Sequence, residues 1–408
     1  MNVPRIGLVV PSITLDGGLP AVARFLKDTA LKGGRFEIQL VSLATSASDP
    51  HSVRLVSPAS WLRGPKAVPG IWEGLPYVHV GVVGAELEFQ RYRARKVLAL
   101  ALKGCDLVQI VCGSPAWANA VVGLGMPVSA QVATRAQIER RRRSAIEGGV
   151  LGWWRNRMTA VTDRFDDRAL RLVDAIQAEN PWMFEYVRKV NAGRNVDIRY
   201  APPGVDHTRF FALTSRDLCD DAYILCVGRL SDPRKNVGML LEAYARLPHG
   251  LRGRTRLVLA GFSGPSQSFW SRADVLGVRA RIEYIAEPSL ERLVGLYQRA
   301  SAFALPSDEE GLGVVLLESM ACGVPVVSTR SGGPEGIVTD GKDGFLVPRD
   351  DAETMADRLG RLLREPSLNH RMGCEARRTV EARYSKDVAG EAFLDVWERL
   401  LCNAGPSS

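Results

Sequence analysis

A chain of 408 residues is too long for one ordinary core and suits two domains of about 200 residues each. Hydrophobic content of 46% and charged content of 24% are those of a globular protein, and no apolar run approaches the roughly 20 residues that span a bilayer. Seven cysteines without a CxxC pair fit a reducing cytoplasm and exclude a disulfide framework or zinc site, while the net charge of +8 permits an anionic partner.

Short apolar runs alternate with helical patterns, the mark of βαβ units and parallel sheets. In the first half, strands are expected at "RIGLVV", "FEIQLVSL", "YVHVGVV", "DLVQIVC", "PVSAQVA" and "DAIQAE", with helices such as "LPAVARFLKDTAL" and "LEFQRYRARKVLALAL" between them. The opening run has no small-residue cleavage pattern and reads as a first strand rather than a signal peptide. A stretch rich in turn formers, "YAPPGVDHTRFFALTSRDLCDD", interrupts the pattern. It resumes with strands at "AYILCVGRL", "TRLVLAG", "RIEYIA", "SAFALP", "PVVST" and "GFLVP". A last helical pattern, "VAGEAFLDVWERLL", has no strand after it. The simplest architecture is α/β: two Rossmann-like, doubly wound parallel sheets facing across a ligand cleft. The expected boundaries are 1–203, 204–387 and a terminal helical segment 388–408.

Three segments carry candidate chemistry. In "EEGLGVVLLES", Glu310 precedes a helix and Glu318 lies about two turns along it. At about 1.5 Å per residue they stand on the order of 10–12 Å apart. Glycosidase carboxylate pairs lie from about 5 to about 9.5 Å apart, so these two are expected to hold separate parts of an extended ligand. The amides of Gly311, Leu312 and Gly313 stand at a helix N-terminus, where an anion is welcome. In "VGRLSDPRKNVGMLLEA", Arg229 ends a strand and Lys235 precedes a helix, two cations at the ligand-binding edge of a parallel sheet. Arg offers a fork and Lys a point charge, and a diphosphate suits both. Only nine of the 53 basic residues are lysines, which makes a well-placed one more informative than an Arg cluster. In "DGGLP", Gly17 and Gly18 allow close backbone approach ahead of a helix, without the GxGxxG pattern of a dinucleotide fold.

Together these segments resemble the retaining, nucleotide-sugar-dependent glycosyltransferases of family 4, which have the GT-B fold. The resemblance rests on the Gly-Gly loop, "PPGVD" at the domain junction and "VGRL" followed by a Lys. Its strongest part is "PSDEEGLGVVLLESMACGVPVVSTRSGGPEGIVTDGKDGFLVP", with the family's E-x7-E spacing. It covers the C-terminal half nearly end to end and the N-terminal half mainly at its first loop.

The resemblance implies a metal-independent hexosyl transfer, without a cofactor, from a UDP-sugar or, second, a GDP-sugar to an acceptor hydroxyl. Glu318 would bind ribose hydroxyls. Glu310 would bind the donor sugar, with help from the amides running from Gly311 to Val314. Arg229 and Lys235 would neutralise the diphosphate, Gly18 would close over it, and the base would lie near Ile285, Ala286 and Glu287. The final helix would cross back onto the N-terminal domain. Arg229, Lys235 and Glu310 are the expected catalytic residues.

Two features depart from the family. Ala133 stands where many relatives carry a His after "PVSAQVATR", and Pro203 replaces the commoner Asn of the junction. The chain's five histidines, 51, 79, 207, 249 and 370, are given structural or surface roles. The stretch 135–171 holds ten Arg against five acids. Its Arg140, Arg141, Arg142 and Arg143 with Trp153 and Trp154 suit peripheral contact with an anionic membrane, an acceptor lid or a plain solvated face. No recognised nucleic-acid module accompanies the charge, so nucleic acid is not expected as a partner. The expected location is the cytoplasm or the inner membrane surface, and a small-molecule acceptor is slightly favoured over a lipid-linked or polysaccharide one. Alternative classes are a GT-B epimerase, phosphorylase or coupling enzyme, and a non-catalytic sugar-nucleotide binder. Lys235, Lys342 and Lys386 do not sit in a context that suits a phosphorylase Schiff base.

Overall fold

In a computed structural model the chain divides into two compact units, Met1–Pro203 with Ala389–Ser408, and Gly204–Val388. The structure describes residues 3–13, 17–140, 149–213 and 222–404.

The first unit holds an eight-stranded sheet. Its strands are β1 (Arg5–Pro11), β2 (Glu37–Leu43), β3 (Ala67–Trp72), β4 (Leu75–Val80), β5 (Leu107–Cys112), β6 (Val128–Val132), β7 (Ala175–Ala178) and β8 (Asp197–Tyr200). Their order is β3-β4-β2-β1-β5-β6-β7-β8, parallel except for the β3–β4 hairpin. Strand β5 is buried along its whole length, which is why it is apolar at every position but Gln109. The winding reverses between β1 and β5, so the loops leaving their carboxyl ends diverge there.

Strands β3 and β8 were not expected from the sequence. Both lie at sheet edges, where a half-exposed strand needs no apolar run. "AVPGIW" tolerates its Pro for the same reason, and a Cβ on Gly70 would stand 2.6 Å from the Tyr77 ring across the hairpin.

The single helix expected over "LEFQRYRARKVLALAL" is in fact a 3₁₀ turn, Glu88–Tyr92, and a short helix, Lys96–Ala101. Arg95 explains the break. Its guanidinium is buried and donates to the carbonyls of Val80, Gly81 and Arg91, which requires an extended backbone at that point. Burial lowers the Arg95 pKa to about 10.

The helix Lys386–Ala404 packs into the first unit through Phe393 and Trp397. Phe393 meets Phe25 edge-on at 5.4 Å, and Trp397 meets Phe36 at 5.7 Å. A fully buried side chain such as Phe393 contributes about 1.5–3 kcal/mol. The Trp397 indole donates to Gln109 at 2.7 Å, so its one polar group is satisfied inside the core.

The second unit holds six parallel strands: β9 (Ala222–Val227), β10 (Thr255–Gly261), β11 (Ile282–Ala286), β12 (Ala302–Leu305), β13 (Val326–Thr329) and β14 (Gly344–Val347). Their order is β11-β10-β9-β12-β13-β14. Here the winding reverses between β9 and β12. The ends of β9 and β10 approach so closely that a Cβ on Gly261 would lie 2.0 Å from the Gly228 carbonyl oxygen. Gly261 also has φ +151°, so both space and backbone demand glycine.

Candidate functional site

The reversal point of the second sheet brings two loops together, residues 228–236 after β9 and residues 306–313 after β12. Polar ties fix them to each other. Asp232 caps the 3₁₀ turn Pro233–Lys235 by accepting from the Arg234 amide at 3.0 Å. Arg234 bridges Asp232 at 2.9 Å and Glu309 at 3.0 Å. The Asp308 amide donates to the Arg234 carbonyl at 2.8 Å. Asn236, left-handed at φ 44°, donates its side-chain amide to both Asp308 and Asp350 at 2.9 Å.

This frame delivers Lys235 Nζ to Glu310 Oε1 at 2.6 Å, and Ser307 Oγ donates to the same oxygen at 2.6 Å. Glu310 is buried. Its backbone is held from the other side, with its amide donating to Ser331 and its carbonyl accepting from Gly333, both at 2.9 Å. A Cβ on Gly333 would meet the Leu312 carbonyl oxygen at 2.4 Å, so the "SGGPEG" loop must close with glycine there. The lysine stem runs past Gly228, whose Cβ position lies 3.7 Å from Lys235 Cε. Sequence spacing suggested two cations open to an anion. The structure instead matches the Lys235 charge with Glu310, while Arg229 is half exposed and meets Asp232 only at 3.6 Å.

Glu318 lies on the helix Val314–Ala321, which starts from a left-handed Gly313 at φ 89° and has no side-chain cap. Its carboxylate accepts from the Tyr297 hydroxyl at 2.7 Å. Burial, and next the neighbouring Glu318 charge, push the Tyr297 pKa well above its ordinary value, so the hydroxyl stays a donor. Glu318 is thus an oriented, half-buried carboxylate rather than a solvated one. Leu312 belongs to the core, and so does Ile285, whereas Ala286, the last residue of β11, and Glu287 after it are exposed. Glu287 has φ 44° and donates its amide to the Gly261 carbonyl at 3.1 Å.

Lys235 and Glu310 therefore meet directly, and Glu318 is fixed separately through Tyr297. Sequence reasoning passed over Ser307, Tyr297 and Asn236. Ser307 stands three residues before Glu310, a spacing that a turn closes, but nothing along the chain points to Tyr297 or Asn236.

Gly17 and Gly18 belong to the first unit. Gly17 precedes the helix Gly18–Leu31 at φ +140°, and a Cβ on either residue would meet nothing within 4 Å. Backbone conformation requires Gly17, while neither conformation nor packing requires Gly18. Ala133 is a backbone junction, donating to Gly113 at 3.2 Å and accepting from Asn180 Nδ2 at 2.7 Å. Arg140 is half buried in an ion pair with Glu88. Arg141, Arg142 and Arg143 lie outside the described residues, as does the Trp154 side chain. Trp153 is exposed, with the Arg157 guanidinium 5.4 Å from its ring centroid. Among the described residues there is no group of three or more His, Cys, Asp or Glu that could hold a metal ion. No described helix is long and apolar enough to cross a membrane.

Across 98% of this chain and all of its own, sucrose-phosphate synthase from Thermosynechococcus elongatus superposes with a TM-score of 0.74 at 18% identity. The fold is GT-B. HepE from Anabaena, in complex with UDP and glucose, shares it with a TM-score of 0.69 at 12% identity, over 97% of this chain and 100% of its own. Residues 216–379 of the GT-B chain match the family described as "Glycosyl transferases group 1". A D-inositol 3-phosphate glycosyltransferase of Saccharomonospora viridis is 32% identical over 256 residues, 60% of this chain and 56% of its own. A GDP-mannose-dependent alpha-(1-6)-phosphatidylinositol monomannoside mannosyltransferase of Mycolicibacterium smegmatis is 34% identical over 200 residues, 45% of this chain and 52% of its own. The chain thus spans about half the length of the curated relatives it matches.

Proposed function

We propose that this protein is a retaining glycosyltransferase of family 4. It takes a sugar from a nucleoside diphosphate, a UDP-sugar before a GDP-sugar, and passes it to an acceptor hydroxyl without a metal ion. The observation that carries this reading is the buried Lys235–Glu310–Ser307 cluster at the reversal point of a parallel sheet, with Glu318 fixed about one turn into the helix that follows. Support also comes from the matched segment 216–379, which contains Arg229, Lys235, Glu310 and Glu318. Similar proteins include a D-inositol 3-phosphate glycosyltransferase and a GDP-mannose-dependent phosphatidylinositol monomannoside mannosyltransferase, and HepE was crystallised with UDP-glucose.

Lys235 and Ser307 hold Glu310 in one orientation, in which its carboxylate accepts hydroxyls of the donor sugar. Tyr297 holds Glu318 so that it accepts ribose hydroxyls, and the base rests on Ala286 and Glu287. As the glycosidic bond lengthens, C1 becomes cationic and the leaving diphosphate gains charge. Lys235 shares its charge between Glu310 and that diphosphate, Arg229 supplies a fork from the half-exposed side, and the uncapped helix at Val314 adds its N-terminal dipole. The acceptor hydroxyl attacks from the face the leaving group vacates, giving its proton to the departing phosphate, and configuration is retained. The open Gly17–Gly18 helix start is kept as a ligand-facing element of the first unit.

Calorimetric titration tests the division of labour. Glu318→Ala is expected to weaken UDP itself, and Glu310→Ala to weaken the sugar nucleotide much more than UDP. Equal losses of UDP affinity in both variants would contradict the assignment, and absence of binding to any sugar nucleotide by the unmodified protein would overturn the function.

A further inference from the structure

The segment from Pro50 to Trp72 contains no Asp or Glu, and carries Arg54, Arg63 and Lys66. Its part before β3, residues 50–66, forms a tip from which several apolar side chains face outward. Val56 is 73% exposed, Trp61 57% and Leu62 93%. This exposure is built rather than loose. At the base, the Val53 amide donates to Val82, the Gly84 amide to Val53 at 2.8 Å each, and the Lys66 amide to His51 at 3.0 Å. Ser60, whose side chain turns inward, accepts from the Arg54 amide at 2.9 Å and donates to the Ser57 carbonyl at 2.6 Å. The Trp61 indole donates to the Arg54 carbonyl at 2.7 Å. An exposed Trp ordinarily gives its N–H to water. Here that donor is satisfied within the loop, so the ring can leave water without stranding a polar group.

We propose that this tip docks on an anionic lipid surface, with Val56, Trp61 and Leu62 entering the headgroup boundary and Arg54, Arg63 and Lys66 facing its negative charge. The combination of an aromatic, two aliphatics and a basic rim is what such a surface selects; Glu86, which accepts from the Leu55 amide at 3.1 Å and lies 3.9 Å from Arg54, offsets one of the three positive charges. A second copy of the chain fits less well, because three protruding side chains do not supply the roughly 1,000 Å² that a stable protein interface buries. The tip follows the carboxyl end of β2, on the same edge of the sheet as Gly17 and Gly18 after β1. Docking therefore turns that edge toward lipid, which reverses the sequence-based preference for a small acceptor in favour of a lipid-linked one. Only this last consequence rests on the proposed glycosyl transfer; the docking does not.

The test is co-sedimentation of the full chain with vesicles of phosphatidylcholine alone or mixed with phosphatidylglycerol. The unmodified protein is expected to pellet with the mixed vesicles and stay in solution with the neutral ones. Trp61→Ser with Leu62→Ser, and separately the triple change of Arg54, Arg63 and Lys66 to Gln, should each weaken binding about ten-fold or more while the circular dichroism of the fold is retained, since the altered side chains are exposed and only the loop's own Trp61 and Arg63 hydrogen bonds are lost. Failure of the unmodified protein to bind mixed vesicles, or full binding by the Trp61/Leu62 variant, would overturn the proposal. So would a concentration-dependent dimer in sedimentation velocity that the same variant abolishes, since the occupant would then be a second copy. Loss of sugar-nucleotide binding with vesicle binding intact would instead remove only the enzymatic reading.

Discussion

The two sheets share a winding pattern and spend their polar residues differently. In the second unit, charge gathers on loops at the reversal point, where Arg234, Lys235, Glu309 and Glu310 are cross-linked in pairs. In the first unit, polarity runs through the sheet itself as a neutral ladder. Trp397 donates to Gln109, Gln109 to Gln177 at 3.1 Å, Ser129 to Gln177 at 2.9 Å, and Gln131 to Glu179. Charges on loops can be offered to a ligand at little structural cost. Polar groups inside a sheet have only one another as partners; here Gln131 Oε1 and Gln177 Nε2 are left without one, while the remaining contacts specify a core. The same topology thus supports a chemical edge in one unit and a structural spine in the other.

The largest effect is expected from breaking the charged edge. Lys235→Ala should lower turnover about 10²-fold or more. It should also cost about 3 kcal/mol of stability, because Glu310 is left buried without its cation. Combining Lys235→Met with Glu310→Gln should recover most of the melting temperature and none of the turnover. Recovery of both would mean that the pair is structural only.

The neutral spine is probed by pH. Burial raises the Glu179 pKa from 4.5 to about 8, against an opposing hydrogen bond from Gln131. The fold therefore favours the protonated acid. Its stabilisation is full below about pH 4.5, declines as pH rises toward about 8, and changes no further above that. Glu179→Gln keeps the hydrogen bond and removes the titration. Its melting temperature should exceed that of the unmodified protein at pH 8, with the difference shrinking toward pH 5. A constant difference across that range would show that Glu179 is not the titrating group.

What could be read from the sequence follows the same contrast. In the second unit β9, β10, β12, β13 and β14 announce themselves because they are largely buried, the half-exposed edge strand β11 is legible from its run "IEYI", and the Glu310, Glu318 and Lys235 motif lies in contiguous, patterned segments. The edge strands β3 and β8 have no such signal. The helix broken by Arg95 was hidden because the carbonyls that bind the guanidinium at Val80 and Gly81 come from elsewhere in the chain. Pairing was equally invisible: the spacing identified Lys235 and Glu310 separately, but only the sheet order brings them to 2.6 Å, and only tertiary packing assigns Tyr297 to Glu318.

The smallest effects belong to the first unit's helix start. Gly17→Ala should cost about 1 kcal/mol, because φ +140° disfavours a side chain. Gly18→Ala should change stability by no more than about 0.5 kcal/mol, since its Cβ meets open space. Denaturant melts of the two variants measure this difference, and equal losses would contradict it.

We propose that Arg229 and Lys235, on the loop after β9, recognise a diphosphate. Comparing uridine with UDP by calorimetry, in the unmodified protein and in Arg229→Ala and Lys235→Ala, tests it most directly. UDP affinity is expected to fall about ten-fold or more in both variants while uridine binding is unchanged. UDP affinity equal to that of the unmodified protein in both variants would contradict it.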